Sequence, residues 1–364
     1  MKKYEFQHQN ENNFNLIRLI AATLVLLSHS YTVVTGDANM EPLREWLGVT
    51  FGSIAVDVFF VISGFLITAS MKNSDSVILF ISARFLRIFP ALVVSLLITV
   101  ALVSCIYIDT VSFKSAANYV WRNALLVVDM PAKIEGIFEA NPAGPGFNAS
   151  LWTLPVELRM YRNVLIIWFL SFIAFGRRRN LFDILIVCAA VYFAMNHFAV
   201  ANQVSMEKSP YRLQYMFFFG SASFILFRYL RINFVLFLVA SLVLVFSFLF
   251  KTLFFVVYSA VLWYLVLCLA FLIKGRVLEF NRVGDYSYGV YVYAWPVQQL
   301  TIALLPSDIV AVNWIASLFV VILLSIFSWH LIEKPTLRLK GRISQFKEVI
   351  YKMVSLKINA HLNR

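Results

Sequence analysis

Long apolar runs alternate along the chain with short polar segments, and many of these runs are long enough to cross a lipid bilayer. An α-helix needs about 20 mainly apolar residues to span the hydrocarbon core of a membrane. Ten segments qualify: residues 14–34, 52–71, 88–108, 151–175, 181–200, 212–230, 232–250, 252–273, 286–305 and 309–332. The pattern predicts an all-α, polytopic membrane protein with about ten transmembrane helices.

The distribution of lysine and arginine predicts how these helices are oriented. With the N-terminus in the cytoplasm, 21 basic residues fall in inner segments, seven in outer segments and three within the spans. Cytoplasmic loops of membrane proteins carry the excess of Lys and Arg, so both termini are predicted to be cytoplasmic. We expect one transmembrane domain over residues 1–342, followed by a basic cytoplasmic tail over residues 343–364.

The composition excludes several functional classes. Hydrophobic residues make up 61% of the chain, charged residues 14%, and the mean hydropathy is +0.78, which a soluble enzyme could not cover with polar surface. The net charge of +12 follows from the cytoplasmic loops and from contact with anionic lipid, so no nucleic acid partner is expected. The three cysteines lie far apart, and no metal-ligand spacing occurs, so no metal is expected.

Polar side chains within a predicted span are costly and are candidates for function. Arg18 and His29 lie 11 residues apart in the first span. Eleven residues are three helical turns plus about 20°, so both side chains share one face, separated by about 16 Å along the axis. The alternative is that Arg18 extends to the lipid headgroups and His29 caps the helix end.

The next two spans add three further charged residues, Asp57, Arg84 and Arg87. Asp57 lies at a depth similar to that of His29, where a carboxylate can fix the tautomer of a histidine. Arg84 and Arg87 share one helical face at the start of the third span, and two guanidinium groups can bind phosphate. The alternatives are a buried, hydrogen-bonded Asp57 and an ordinary positive-inside anchor at the two arginines.

The fourth span begins with an unusual density of polar groups. Glu157 and Tyr161 are four residues apart and lie one above the other, whereas Arg159 and Arg162 fall on other faces. A structural ion pair between Glu157 and one of these arginines is the alternative to a catalytic role. The segment 329–335 is interpreted as structural, with its proline ending the last span.

Four motifs in this order resemble those of the acyltransferase-3 family of integral membrane acyltransferases. The resemblance runs over residues 12–342. The motifs are Arg18-x10-His29; Val-Asp-Val-Phe-Phe-Val-Ile-Ser-Gly-Phe-Leu-Ile at residues 56–67; Arg84-Phe-Leu-Arg87 with Pro90; and Ser150-Leu-Trp-Thr-Leu-Pro-x-Glu157 with Tyr161. Each motif is weak alone, and their order within a ten-helix chain makes them specific.

The resemblance implies an enzyme of the bacterial inner membrane that modifies glycans. It transfers an acyl group, with acetyl expected, from acetyl-CoA to a hydroxyl of a cell-surface polysaccharide or lipid-linked glycan. The resemblance implies that His29 is catalytic and supported by Arg18, and that Arg84 and Arg87 bind the acyl-CoA donor.

The sequence departs from the family pattern at two positions. Ala294 replaces a histidine that relatives often carry, which leaves any role of that histidine in doubt. Asn15 replaces an acidic residue, so Arg18 is expected to lack an ion-pair partner.

These residues suggest a mechanism. His29 would deprotonate the acceptor hydroxyl, or briefly carry the acyl group, oriented by Asp57 or Glu157. Tyr161 or an arginine would donate to the oxyanion. The donor would enter from the cytoplasm, and the glycan would bind outside, under the segment 109–150. A transporter or flippase of a lipid-linked glycan is the alternative, and a membrane scaffold is a third; neither requires His29 together with the two arginines.

Overall fold

The structure is a computed structural model in which the described residues are helices and their connections, without a β-strand. The described residues are 11–74, 76–107, 111–126, 133–175, 179–200 and 206–341. The predicted tail over residues 343–364 lies outside them.

Helices occupy all ten of the predicted spans. The helices of the described residues are α1 (Phe14–Thr35), α2 (Pro42–Leu47), α3 (Phe51–Asn73), α4 (Val77–Ile106), α5 (Phe113–Ala124), α6 (Thr153–Phe175), α7 (Arg179–Ala199), α8 (Arg212–Ile225), α9 (Phe234–Ser247), α10 (Lys251–Leu272), α11 (Phe280–Val283), α12 (Ser287–Leu304) and α13 (Val310–Ser328). The short helices α2, α5 and α11 lie in the connections between these spans.

Within the described ranges, six helices are long and apolar enough to cross a membrane. They are α1, α3, α4, α7 from Asn180 onward, α10 and the helix that runs from Val310 to Gly341. The prediction of an all-α membrane protein is therefore confirmed. The number of about ten crossings and the cytoplasmic location of both termini stay predictions.

Two predicted helix boundaries are wrong. α4 begins at Val77, eleven residues before the predicted span, so Arg84 and Arg87 lie inside the helix. Pro335 does not end the last helix, which continues to Gly341. A π-helical turn at Trp329–Glu333 comes directly before this proline and shifts the hydrogen-bond register of the helix there.

Contacts between helix ends define two ends of the bundle. The backbone amide of Asn13, just before α1, donates to the carbonyl of Ala270 near the end of α10 at 3.0 Å. A Cβ at Gly52, at the start of α3, would lie 2.7 Å from the hydroxyl of Ser28, near the end of α1. α1 and α3 are therefore antiparallel. We call the end at which α1 begins the inner end and the opposite end the outer end.

α3 and α8 approach so closely that only glycine fits at the crossing. A Cβ at Gly64 would lie 1.8 Å from the carbonyl oxygen of Phe217, and a Cβ at Gly220 would lie 2.0 Å from that of Val61. The hydroxyl of Ser221 donates to the carbonyl of Gly64 at 3.1 Å across the same contact. Small residues permit such close packing in membranes, where dispersion and hydrogen bonds replace the hydrophobic effect between helices.

Two prolines interrupt helices that carry candidate site residues. Proline has no N–H, so the carbonyl four residues earlier loses its donor within the helix. Asn148 donates instead to the carbonyl of Val292, which Pro296 frees in α12, at 2.9 Å. In α4, the hydroxyl of Thr336 contacts the carbonyl of Leu86, four residues before its proline, at 3.4 Å.

Replacing Gly64 by alanine should destabilise the protein strongly, because the added methyl group meets backbone atoms of α8 that cannot rotate away. We expect a loss of about 3 kcal/mol in the free energy of unfolding. Thermal unfolding of the purified protein in detergent measures the change.

Gly341→Ala is the matched control, because no atom of a described residue lies within 4 Å of a Cβ at Gly341. We expect this variant to unfold at the wild-type temperature or slightly above it. Equal stability of the two variants would contradict the tight crossing of α3 and α8.

Candidate active site

A cavity of about 730 Å³ opens between α1, α3, α4, α6, α12 and the helix after α13. Along α3 its wall extends from Asn73 at the inner end to Val56 near the outer end. These residues are 17 apart, which is about 25 Å of helix. The cavity therefore extends from the inner end through most of the length of α3, and its volume suits a small-molecule or cofactor ligand.

Two arginines on the cavity wall share one carboxylate. Arg18 of α1 and Arg87 of α4 both donate to the same oxygen of Asp285, which precedes α12. Ser287 donates to the other oxygen at 2.6 Å. The side chain of Asp285 is only 6% exposed, so the ion pairs join three helices at a site with little competing water. The expectation that Arg18 lacks an ion-pair partner is wrong.

A second carboxylate compensates Arg87 from the π-helical turn within the last described helix. Arg87 contacts Glu333 at 3.5 Å, and the hydroxyl of Ser328 donates to Glu333 at 3.1 Å. Glu333 is buried, so the segment interpreted as only structural contributes a charge to this cluster. We call Arg18, Arg87, Asp285 and Glu333 the inner ion cluster.

Sequence reasoning missed Asp285 and Glu333 as members of the site. The signal was present, because both are acidic residues at predicted inner membrane edges, where basic residues predominate. Each is adjacent in sequence to an apolar span, which makes an unpaired carboxylate costly and predicts a basic partner.

Arg84 differs from the other two arginines of the cavity. It lines the wall one turn before Arg87, and it forms no ion pair with another described residue. Its Nε atom is buried without a hydrogen-bond partner among those residues. Lys340 also lines the cavity, and its charge lies close enough to interact with that of Arg84. Neither cation forms an ion pair with a described carboxylate, although the charge of Glu157 also acts on Arg84. Two neighbouring cations of this kind favour the binding of an anion.

Glu157, Tyr161 and Ser63 form a hydrogen-bonded group halfway along the cavity. Both hydroxyls donate to Oε1 of Glu157, that of Ser63 at 3.0 Å, and the two hydroxyl oxygens are 3.3 Å apart. Arg159 and Arg162 are exposed on other faces of α6, and neither forms an ion pair with Glu157. The structural ion pair that was the alternative for Glu157 therefore does not form with Arg159 or Arg162, and Glu157 instead accepts hydrogen bonds from Ser63 and Tyr161.

Asp57 makes its contacts away from this cavity. It is fully buried, its Oδ1 lies 3.4 Å from Nε of Arg212, and its Oδ2 accepts a hydrogen bond from Tyr258 at 3.0 Å. These partners come from α8 and α10. Among the described residues no hydrogen bond joins Asp57 to His29, so the expected orienting contact does not form.

His29 lies toward the outer end of α1, beyond the cavity. It is partly buried, and its Nδ1 atom is enclosed without a hydrogen-bond partner among the described residues. The indole ring of Trp295 packs edge-on against the imidazole, with ring centres 5.0 Å apart. Neither His29 nor Asp57 is among the described residues that line the cavity.

The structure thus brings together most of the residues selected from the sequence, but not all of them. The cavity wall includes Arg18, Arg84, Arg87, Glu157 and Tyr161. This arrangement can hold an anionic ligand at the inner end and offers hydroxyl donors further along. No group of three or more metal-ligating side chains occurs within the described ranges.

Comparison with known proteins yields several relatives. An O-acetyl transferase of Shigella phage Sf6 is 30% identical over 337 residues, which are 89% of this chain and 95% of that protein. Nodulation protein 10 of Rhizobium leguminosarum bv. viciae is 36% identical over 173 residues, 43% of this chain and 44% of that one. The acyltransferase MdmB of Streptomyces mycarofaciens is 34% identical over 112 residues, 31% of this chain and 27% of that one. No solved structure matches the chain.

The family comparison covers a larger part of the chain than the two shorter matches. The acyltransferase domain of the acyltransferase-3 family matches residues 11–332, which include every helix from α1 to α13. This match confirms the resemblance that the four motifs indicated: the chain belongs to the acyltransferase-3 family of membrane acyltransferases.

Proposed function

We propose that this protein is an O-acetyltransferase of the bacterial inner membrane that moves an acetyl group from acetyl-CoA to a hydroxyl of a cell-surface polysaccharide or lipid-linked glycan. The cavity carries this proposal, because two of its cations, Arg84 and Lys340, form no ion pair with a described residue and because it extends toward His29. The match to the phage O-acetyl transferase over nearly the whole chain supports acetyl as the transferred group.

Arg84 and Lys340 are the proposed binding residues for the phosphates of the donor. Arg84 forms no ion pair with a described residue, whereas Arg18 and Arg87 are paired with the carboxylates of the inner ion cluster. A phosphate group accepts charge-assisted hydrogen bonds that are stronger than neutral ones. In this assignment Arg87 shapes the mouth of the cavity, and Arg84 binds the anion.

Orientation follows from this donor site. Acyl-CoA is made inside the cell, so the inner end of the bundle would face the cytoplasm, as the distribution of basic residues predicts. The acceptor glycan would then bind at the outer end, near the segment 133–150.

His29 is the proposed catalytic base. It would take the proton of the acceptor hydroxyl as the hydroxyl oxygen attacks the thioester carbonyl. The carbon–sulfur bond then breaks, and the departing CoA thiolate receives the proton from the imidazole. The hydroxyl of Tyr161 donates its proton to Glu157 and lies within the cavity, so in this proposal Tyr161 borders the route of the thioester and does not donate to the oxyanion.

A direct test of the function measures release of CoA thiol from acetyl-CoA by the purified protein in lipid nanodiscs. The acceptor is surface polysaccharide from host cells that lack this protein. We expect release that depends on the polysaccharide, together with acetyl groups on the glycan by mass spectrometry. Flipping of a lipid-linked glycan without release of CoA would instead support a flippase.

Replacing Arg84 by glutamine should weaken donor binding about tenfold, the effect of losing a hydrogen bond to a charged group. Titration of the protein with CoA measures the dissociation constant. Arg159→Gln is the matched control, because this arginine is exposed on α6 outside the cavity.

Arg87→Gln separates the two roles of the arginines. This change leaves Glu333 buried without its cation. We therefore expect the free energy of unfolding to fall by about 3 kcal/mol, with a smaller effect on CoA affinity. Equal loss of CoA affinity in the Arg84 and Arg87 variants would contradict the assignment of donor binding to Arg84.

Replacing His29 by alanine should reduce acetyl transfer at least about 100-fold, the usual contribution of a general base. CoA affinity should stay near the wild-type value, because His29 lies outside the donor cavity. His330→Ala is the control, since it removes an exposed imidazole at the inner end. Transfer by His29→Ala at the wild-type rate would eliminate the proposed base.

A further inference from the structure

Side chains from three helices contact one another near the outer end of the cavity. The hydroxyls of Tyr291 on α12 and Thr153 on α6 are hydrogen-bonded at 2.7 Å, and these are the outermost lining residues of their two helices. The ring of Phe59 on α3 packs edge-on against Tyr291, with ring centres 5.8 Å apart. A single hydrogen bond and one ring contact therefore join α3, α6 and α12 where the lining of α6 and α12 ends.

His29 lies one helical turn beyond this closure. Trp295, which contacts His29, follows Tyr291 by four residues on the same face of α12. Four residues correspond to about 6 Å along the helix axis. A thioester at the outer end of the cavity is thus close to His29 but separated from it by Tyr291 and Trp295 of α12.

The hydrogen bonding within α12 is interrupted at Val292, which lies between Tyr291 and Trp295. Pro296 deprives the carbonyl of Val292 of its helical donor, and Asn148 satisfies it from outside the helix. Trp295 donates to the carbonyl of Gly146 at 2.7 Å. Residues 141–148, which we call the outer strap, thereby contact α12 at Val292 and at Trp295.

We propose that Tyr291 and Thr153 are positioning residues that form a gate between the donor cavity and His29, and that acceptor bound at the outer strap opens this gate through Asn148 and α12. The proposal rests on the function proposed above. The closed gate keeps the thioester away from His29 until an acceptor hydroxyl is present.

The gate makes a prediction about hydrolysis without acceptor. With the gate open, water replaces the glycan hydroxyl: its oxygen attacks the thioester carbonyl, the carbon–sulfur bond breaks, and acetate and CoA thiol are released. Tyr291→Phe and Thr153→Val each remove the hydrogen bond and nearly preserve the volume of the side chain. We expect each to raise acceptor-independent release of CoA about fivefold, the effect of one hydrogen bond on an equilibrium, with unchanged CoA affinity.

Matched controls come from the same helices. Tyr293→Phe makes the same chemical change two residues along α12, at a residue that does not line the cavity; we expect no increase. Asn148→Ala should raise hydrolysis like the gate variants, whereas Asn196→Ala removes a similar amide-to-carbonyl bond on α7 and should not. The double variant of Tyr291 and Thr153 should equal either single variant, because both remove one shared bond.

Each outcome bears on the gate. Hydrolysis by Tyr291→Phe should return to background when His29→Ala is added, since water is activated beyond the gate. If hydrolysis persists in the variant that combines Tyr291→Phe with His29→Ala, water attacks the thioester within the cavity, and the proposal is overturned. Hydrolysis rates of the gate variants equal to the rate of Tyr293→Phe would also overturn it. If the wild-type protein acetylates the glycan and the gate variants still release CoA only in the presence of acceptor, the gate is overturned but the proposed function is not. Wild-type protein that uses no acetyl-CoA overturns the proposed function as well.

Discussion

The carboxylate of Asp285 determines how the inner half of the bundle is arranged. Its oxygen joins the guanidinium groups of α1 and α4 at the start of α12, so three helices distant in sequence converge on one charge. Within lipid an unpaired ion is far more costly than a paired one, and this difference fixes the positions of Arg18 and Arg87. Because these two arginines are satisfied by protein, Arg84, the arginine of the cavity that forms no ion pair with a described residue, is available to a ligand.

The positions of the helices could be predicted from the sequence, because the requirement for about 20 apolar residues leaves a direct mark on it. α1, α3, α10 and α12 begin and end within two residues of their predicted spans. α4 begins earlier, since its first turns are interrupted by polar residues that a hydropathy pattern assigns to a loop. Pro335 was expected to end a helix, but a π-turn before it lets the helix continue.

The partners of the buried charges could not be predicted in the same way. Helical spacing establishes which residues share a face of one helix, as for Glu157 and Tyr161, but contains no information on the neighbouring helix. Arg18 therefore looked unpaired, although its partner lies 267 residues away. Asp57 and His29 have similar depths in the sequence pattern, yet α8 and α10 supply the partners of Asp57. The sequence pattern therefore predicts the depth of each residue in the membrane, but it does not predict how each helix is rotated about its axis.

The strengths of the contacts at the two ends of the cavity explain why one end can be fixed and the other can move. Breaking the inner ion cluster leaves buried charges unpaired, which costs about 3–5 kcal/mol. Breaking the bond between Tyr291 and Thr153 costs about 1 kcal/mol, because both hydroxyls are neutral. A glycan that gains a few hydrogen bonds at the outer strap can offset the second cost but not the first. In the proposed reaction the donor site therefore stays formed while only its outer end responds to the acceptor, which couples consumption of the thioester to the presence of the hydroxyl that receives the acetyl group.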